Sequence, residues 1–140
     1  MAISEQEIKE FARAWYKAAK GAEAEFRQEE FFKNKYPKIY FTNTGVALGL
    51  KEHDQMATSF NHLKHTLGDI FITHLPCESD RVRVISTMYW SGCKSNDDRQ
   101  TIQAVVGQDW ILEKVNGNIK FVLYMLTSRQ LLPGSEKFSV

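Results

Sequence analysis

The spacing of apolar residues in this chain changes period for good after Gly68, and that change fixes the order of its layers. Up to Leu67, a short stretch over 38–49 apart, apolar side chains recur every three or four residues, as on amphipathic helices. After Gly68 they alternate or run together, as in strands. Helices first and antiparallel strands afterwards is an α+β order, unlike the regular βαβ repetition of a parallel sheet. Ser4 with Glu7 is a capping-box signature, and Ile8, Phe11, Ala12, Trp15 and Ala19 continue a first helix to Gly21. A second helix is expected over 22–34, carrying Phe26, Phe31 and Phe32 and stopped at Tyr36-Pro37. Residues 38–43 read as a short strand, with a glycine-bounded reversal over 44–49. A third helix is expected over 50–67, because Met56, Ala57, Phe60, Leu63 and Leu67 share one arc. Strands are expected over 70–75, 82–91, 101–115 and 119–128, and Asn116-Gly117 is the strongest hairpin signal.

A chain of 140 residues is expected to form one domain, residues 1–140, with a loosely held tail from Pro133. Eighteen basic against seventeen acidic side chains leave +1, and the charges are interspersed. That pattern excludes a nucleic-acid or anionic-membrane footprint. The acidic, polar start is not that of a secretory signal, and no apolar run is long enough to span a bilayer, so a cytoplasmic protein is expected. Cys77 and Cys93 stand in no ligand spacing and are expected to be reduced bystanders. His62-x-x-His65 lacks a third ligand, and no phosphate loop or nucleophile elbow is present, so neither metal nor cofactor is expected. The last strand is apolar on both faces. Helices cover one face, and a second copy of the sheet is the expected cover for the other, giving a homodimer.

The segments Phe11-Ala12-Arg13-Ala14-Trp15-Tyr16, Gly49 with Phe60, Asp80-Arg81-Val82-Arg83-Val84 running to Trp90-Ser91-Gly92, and Val115-Asn116-Gly117-Asn118-Ile119 carry a resemblance over nearly the whole chain. Together they resemble the nuclear-transport-factor-two-like superfamily, in its SnoaL-like and ketosteroid-isomerase-like branch. The resemblance implies a cone-shaped, curved antiparallel sheet wrapped around three N-terminal helices, a cystatin-like α+β barrel. It also implies a pocket between the concave sheet face and the helices, often in a dimer. Activities on this fold run from isomerisation, dehydration and cyclisation to no catalysis.

Strand parity, phased by the hairpin geometry of the resemblance, turns Val82, Val84, Ser86, Met88 and Trp90 inward, then Gly107, Asp109 and Ile111, then Val122, Tyr124 and Leu126. Asp109 is the leading catalytic candidate, because a carboxyl among apolar neighbours is desolvated and its pKa raised towards a useful value. It stands about two residues before the acid of ketosteroid isomerases, whose slot Ile111 fills. His53 falls within the inward arc of the third helix, whereas His62 and His65 fall opposite. Near a helix N-terminus its neutral imidazole is favoured, which suits a base. Tyr40 and Tyr124 are candidate donors to a developing oxyanion. The tyrosine and base positions of ketosteroid isomerases fall near Ala14 and Trp15, and near Tyr40 and Phe41, so steroid isomerisation by that machinery is not expected. Trp15, Met56, Phe60, Ser86, Met88, Trp90, Ile111 and Val122 complete an apolar lining suited to a small hydrophobic molecule. Each of these residues also has a plain packing role open to it.

The function expected from these residues is a cofactor-independent isomerase, lyase or cyclase using general acid-base chemistry on a small hydrophobic molecule. A ligand carrier with the same pocket, or a protein-interaction module with the pocket filled, are the alternatives.

Overall fold

The computed structural model describes residues 3–18, 24–57, 59–75, 80–94 and 97–135. Helix α1 (Glu5–Ala18) begins at the expected capping box: the Glu7 amide donates to Ser4 Oγ and the Ser4 amide to a Glu7 carboxylate oxygen, each at 3.1 Å. Its inner stripe of Ile8, Ala12, Trp15 and Tyr16 is buried. Helix α2 (Ala24–Glu29) is shorter than expected, and Phe31 and Phe32 lie beyond it. There the chain runs beside the last strand, through Lys33 N–H to Phe121 C=O at 3.0 Å and Phe121 N–H to Phe31 C=O at 2.7 Å. Strands β1 (Lys38–Phe41) and β2 (Val46–Gly49) form the predicted hairpin, with Gly45 at φ 72° in its turn. Cys93 is buried, and Cys77 lies outside the described residues, as does the tail beyond Ser135.

The third helix departs from the expectation. Helix α3 (Leu50–Ala57) is eight residues long, and β3 (Phe60–His74) starts where the helical pattern was expected to continue. His62 sits at φ 55° in a bulge between the pairs Asn61–Cys93 and Lys64–Ser91. The bulge spaces Phe60 and Leu63 like helical neighbours although both belong to a strand. Strands β4 (Arg81–Lys94), β5 (Asp97–Val115) and β6 (Asn118–Leu131) complete the meander. Asn116 and Gly117, at φ 51° and 83°, make the predicted tight turn between β5 and β6.

The six strands form one sheet in the order β2-β1-β6-β5-β4-β3. All neighbours are antiparallel except β1 and β6, which run parallel through Tyr40–Met125 and Phe41–Leu126. Bulges in β3 and β6 bend the sheet, and its inner face packs on α1. Directly paired residues share a face, so the register sorts side chains without ambiguity. The inner rows are Val82–Leu112–Phe121, Val84–Trp110–Tyr124, Ser86–Gln108–Leu126, Met88–Val106–Arg129 and Trp90–Ala104–Leu131. One outer row crosses five strands: Phe71–Ile85–Asp109–Met125–Tyr40. Trp15 joins helix to sheet, its ring 5.1 Å from Phe121 and 5.5 Å from Tyr124.

Candidate functional site

A cavity of about 100 Å³ lies between the inner sheet face, α1 and α3. Helix α1 contributes Trp15 and Tyr16; α3 contributes His53, Met56 and Ala57; β3 contributes Phe60, Leu63 and His65. Met88, Trp90, Ala104, Val106, Tyr124 and Leu126 form the sheet wall. Phe41, Asn43, Ser128 and Arg129 lie at the end where β1 and β6 stop pairing. Of the residues expected from sequence, Trp15, His53, Met56, Phe60, Met88, Trp90 and Tyr124 therefore meet around one cavity.

Asp109, Tyr40, Ile111 and Val122 do not line it, and Ser86 lies beneath its floor. Asp109 pairs with Ile85 and Met125 on the outer face, where the Arg83 guanidinium grips both carboxylate oxygens at 3.0 and 2.6 Å. The placement expected for it is thus reversed: β5 is phased one residue from the expected parity, and Gly107 and Ile111 turn outward with it. Tyr40 is exposed in the same outer row. Val122 is the extra residue of a bulge, since Ile111 pairs with Leu123 while Leu112 pairs with Phe121. That bulge lets Phe121 and Tyr124 both face the core from positions three apart. Ser86 is buried on the inner face, and its hydroxyl donates to Gln108 at 3.2 Å.

Gln108, absent from the sequence expectations, organises the floor. It is 0% exposed, and all four of its amide hydrogen-bonding capacities are used. Tyr16 and Ser86 donate to its Oε1 at 3.0 and 3.2 Å, while its Nε2 donates to the Tyr124 hydroxyl at 3.2 Å and approaches Met88 Sδ at 3.8 Å. Trp15 Nε1 adds a second donor to the Tyr124 oxygen at 3.3 Å. With its oxygen accepting twice, Tyr124 keeps its own O–H as a donor, and the residue lines the cavity. Burial pushes the Tyr124 phenol up to about 12, against the opposing effect of the Trp15, Gln108 and Trp110 N–H groups, so it stays protonated at neutral pH. Burial also raises Tyr16.

Two imidazoles face this floor. His53 retains some exposed surface, yet its Nδ1 is buried and meets no hydrogen-bond partner among the described residues. Desolvation holds its pKa down to about 4, so the ring is neutral at pH 7. His65, expected on the exposed side of a helix, instead faces inward opposite Trp90 on β3 and stacks on Tyr16 at 5.4 Å and 10°. Its signal was the alternation Leu63, His65, Leu67, legible once 60–67 is read as a strand. Among the described residues no Asp or Glu lines the cavity, and no three His, Cys, Asp or Glu side chains gather as a metal site. No described helix is long and apolar enough to cross a membrane.

A curved sheet closed by helices over one lined cavity is the architecture of cystatin-like α+β proteins, and solved structures agree. A cystatin-like protein from Nostoc punctiforme superposes with TM-score 0.65 at 17% identity over 96% of this chain and 98% of that one. A protein provisionally named a dehydratase of the nuclear-transport-factor-two-like family, from Streptomyces avermitilis, gives 0.66 at 9% identity over 87% and 93%. The hexachlorocyclohexane dehydrochlorinase LinA-type3 from Novosphingobium barchaimii gives 0.64 at 12% over 98% and 100%. No protein-family profile and no curated protein sequence matches the chain. At such identities the likeness defines the fold: this chain has the nuclear-transport-factor-two-like fold.

Proposed function

We propose that this protein is a small-molecule enzyme, a lyase or isomerase that moves a proton on a compact hydrophobic substrate using the side chains of its cavity. The observation that carries this reading is the Tyr124 hydroxyl, whose oxygen is fixed by Trp15 and Gln108 so that its hydrogen serves an acceptor from outside the protein. A fixed donor in an apolar site stabilises negative charge as it develops on a carbonyl oxygen. An imidazole, the neutral His53 or its neighbour His65, takes the proton from the carbon beside that carbonyl, and the C–H electron pair moves into an enolate held by Tyr124. In a lyase the enolate expels a leaving group from the next carbon. In an isomerase the imidazolium returns the proton to a different carbon. The names of two structural neighbours, a dehydratase and a dehydrochlorinase, lend support to the elimination branch.

The test is deuterium exchange into cyclohexanone in D2O, followed by NMR. Wild type is expected to accelerate exchange over buffer, and Tyr124→Phe to lose about 10²-fold of that acceleration. Exchange unaffected by Tyr124→Phe would remove Tyr124 from the chemistry. One observation favours a second reading, a ligand carrier: no carboxylate among the lining residues balances an imidazolium. Tight binding with no exchange on any small ring ketone would select it.

A second copy of the chain is the proposed cover for the outer face. Phe71, Ile85, Tyr89 and Tyr40 stand exposed there, and Arg83 is half-exposed at its centre beside the nearly buried Asp109. Such a mixed patch is self-complementary across a two-fold axis.

A further inference from the structure

We infer that the cavity takes a single ring bearing a carboxylate, with the ring against Trp15, Phe60 and Trp90 and the carboxylate at Arg129. The inference deepens the proposed function by naming a ligand class, and it concerns binding whether or not turnover follows. Arg129 pairs with Val106, which belongs to an inner row, so the register turns its side chain into the cavity. Strands β1 and β6 run parallel up to Phe41–Leu126, and past that pair the turn after β1 brings Asn43 to the same end of the cavity as Arg129. This end therefore gathers a guanidinium and an amide, a pair that recognises a planar anion through a forked set of hydrogen bonds. The five donors of a guanidinium allow it to serve a ligand and a protein partner at once.

The rest of the cavity points the same way. Its charged and titratable lining is Arg129, His53 and His65 beside the Tyr16 and Tyr124 phenols, with no described carboxylate to attract a cationic ligand or repel an anionic one. The buried, unpartnered Nδ1 of His53 offers one more polar contact to a bound molecule. The whole cavity is about 100 Å³, below the about 150 Å³ of a dry protein cavity that holds benzene, so one ring is the upper limit of what it takes. Outside, Lys9, Arg13 and Lys17 line a groove between α1 and β3 that shares Tyr16 and His65 with the cavity. Their field raises the local concentration of anions at the site.

The experiment is a titration of the full chain with benzoate and with its uncharged isostere benzamide at pH 7 and low salt, followed by amide and indole NMR shifts. Benzoate is expected to shift the Trp15 and Trp90 indoles and the amides of Ser128 and Arg129, and to bind at least about ten-fold tighter than benzamide. Arg129→Gln is expected to bring benzoate down to the benzamide level without weakening benzamide. Arg129→Lys, which keeps the charge and loses the fork, should fall between. Equal binding of the two ligands would overturn the inference. So would shifts confined to Lys9, Arg13 and Lys17, or no shifts in the cavity with either ligand. Because binding is read without turnover, failure of cyclohexanone exchange leaves this result standing, and the converse also holds.

Discussion

His53 makes the stability of this protein depend on pH in a window where most side chains are silent. In the unfolded chain the imidazole titrates at its ordinary value of 6.5, and in the fold burial holds it down to about 4. The difference, 6.5 − 4 = 2.5 units at about 1.4 kcal/mol each, is about 3 kcal/mol. The sign follows from which state binds the proton. Below pH 6.5 the unfolded chain takes up a proton that the folded chain refuses, so stability falls as pH drops from 6.5 towards 4. Glu7 and Glu113, whose pKa values are lowered by Lys114 and by Lys33 and Arg81, begin to lose their stabilisation as pH falls through the ordinary carboxylate value of 4.5, at the lower end of that window. Urea unfolding followed by tryptophan fluorescence at pH 7 and pH 4 measures the total, and His53→Leu isolates the histidine by difference. Wild type is expected to lose about 3 kcal/mol more than His53→Leu over that interval. Equal losses in the two proteins, or an NMR titration of His53 with a midpoint near 6.5, would refute the reasoning.

Gln108→Leu strips the Tyr16 and Ser86 hydroxyls of their acceptor and the Tyr124 oxygen of a donor, and is expected to cost about 2 kcal/mol or more in urea unfolding. A wild-type midpoint would show that the network contributes nothing. Asp109→Asn touches only the outer face, so cyclohexanone exchange and benzoate binding should both be unchanged, with a stability cost of about 1 kcal/mol from the weakened Arg83 pair. Loss of either activity would return Asp109 to the site. Ile85→Glu places a charge at the middle of the proposed dimer face. Sedimentation is expected to show wild type as a dimer and the variant as a monomer, and a monomeric wild type would refute the assembly.

The first helix, the two tight hairpins and the inward set of β4 were legible because each rests on short-range chemistry: a capping box, a left-handed Asn-Gly pair, an unbroken alternation. The helix expected over 50–67 failed at a bulge, since an extra strand residue at His62 turns a spacing of two into three and imitates a helical face. Asp109 failed for a different reason. Its strand was phased by distant resemblance, although the chain itself holds the answer. Ile102, Ala104, Val106, Trp110 and Leu112 form an apolar set interrupted only by Gln108, while Gln103, Asp109 and Glu113 share the other parity. One buried glutamine in that set was the mark of a polar network, and the chain could not reveal its partners because they lie 16 to 92 residues away.

The stacked rings of Tyr16 and His65 belong at once to the closed cavity and to the basic groove outside it. At that point the boundary of the binding space is neither strand nor helix but one pair of aromatic plates. Its capacity there is set by a few side-chain torsions, which rearrange far faster than a backbone does. Ligand size is consequently a property that single substitutions at these two positions can retune, while the sheet, its register and the hydrogen bonds of the meander stay as they are.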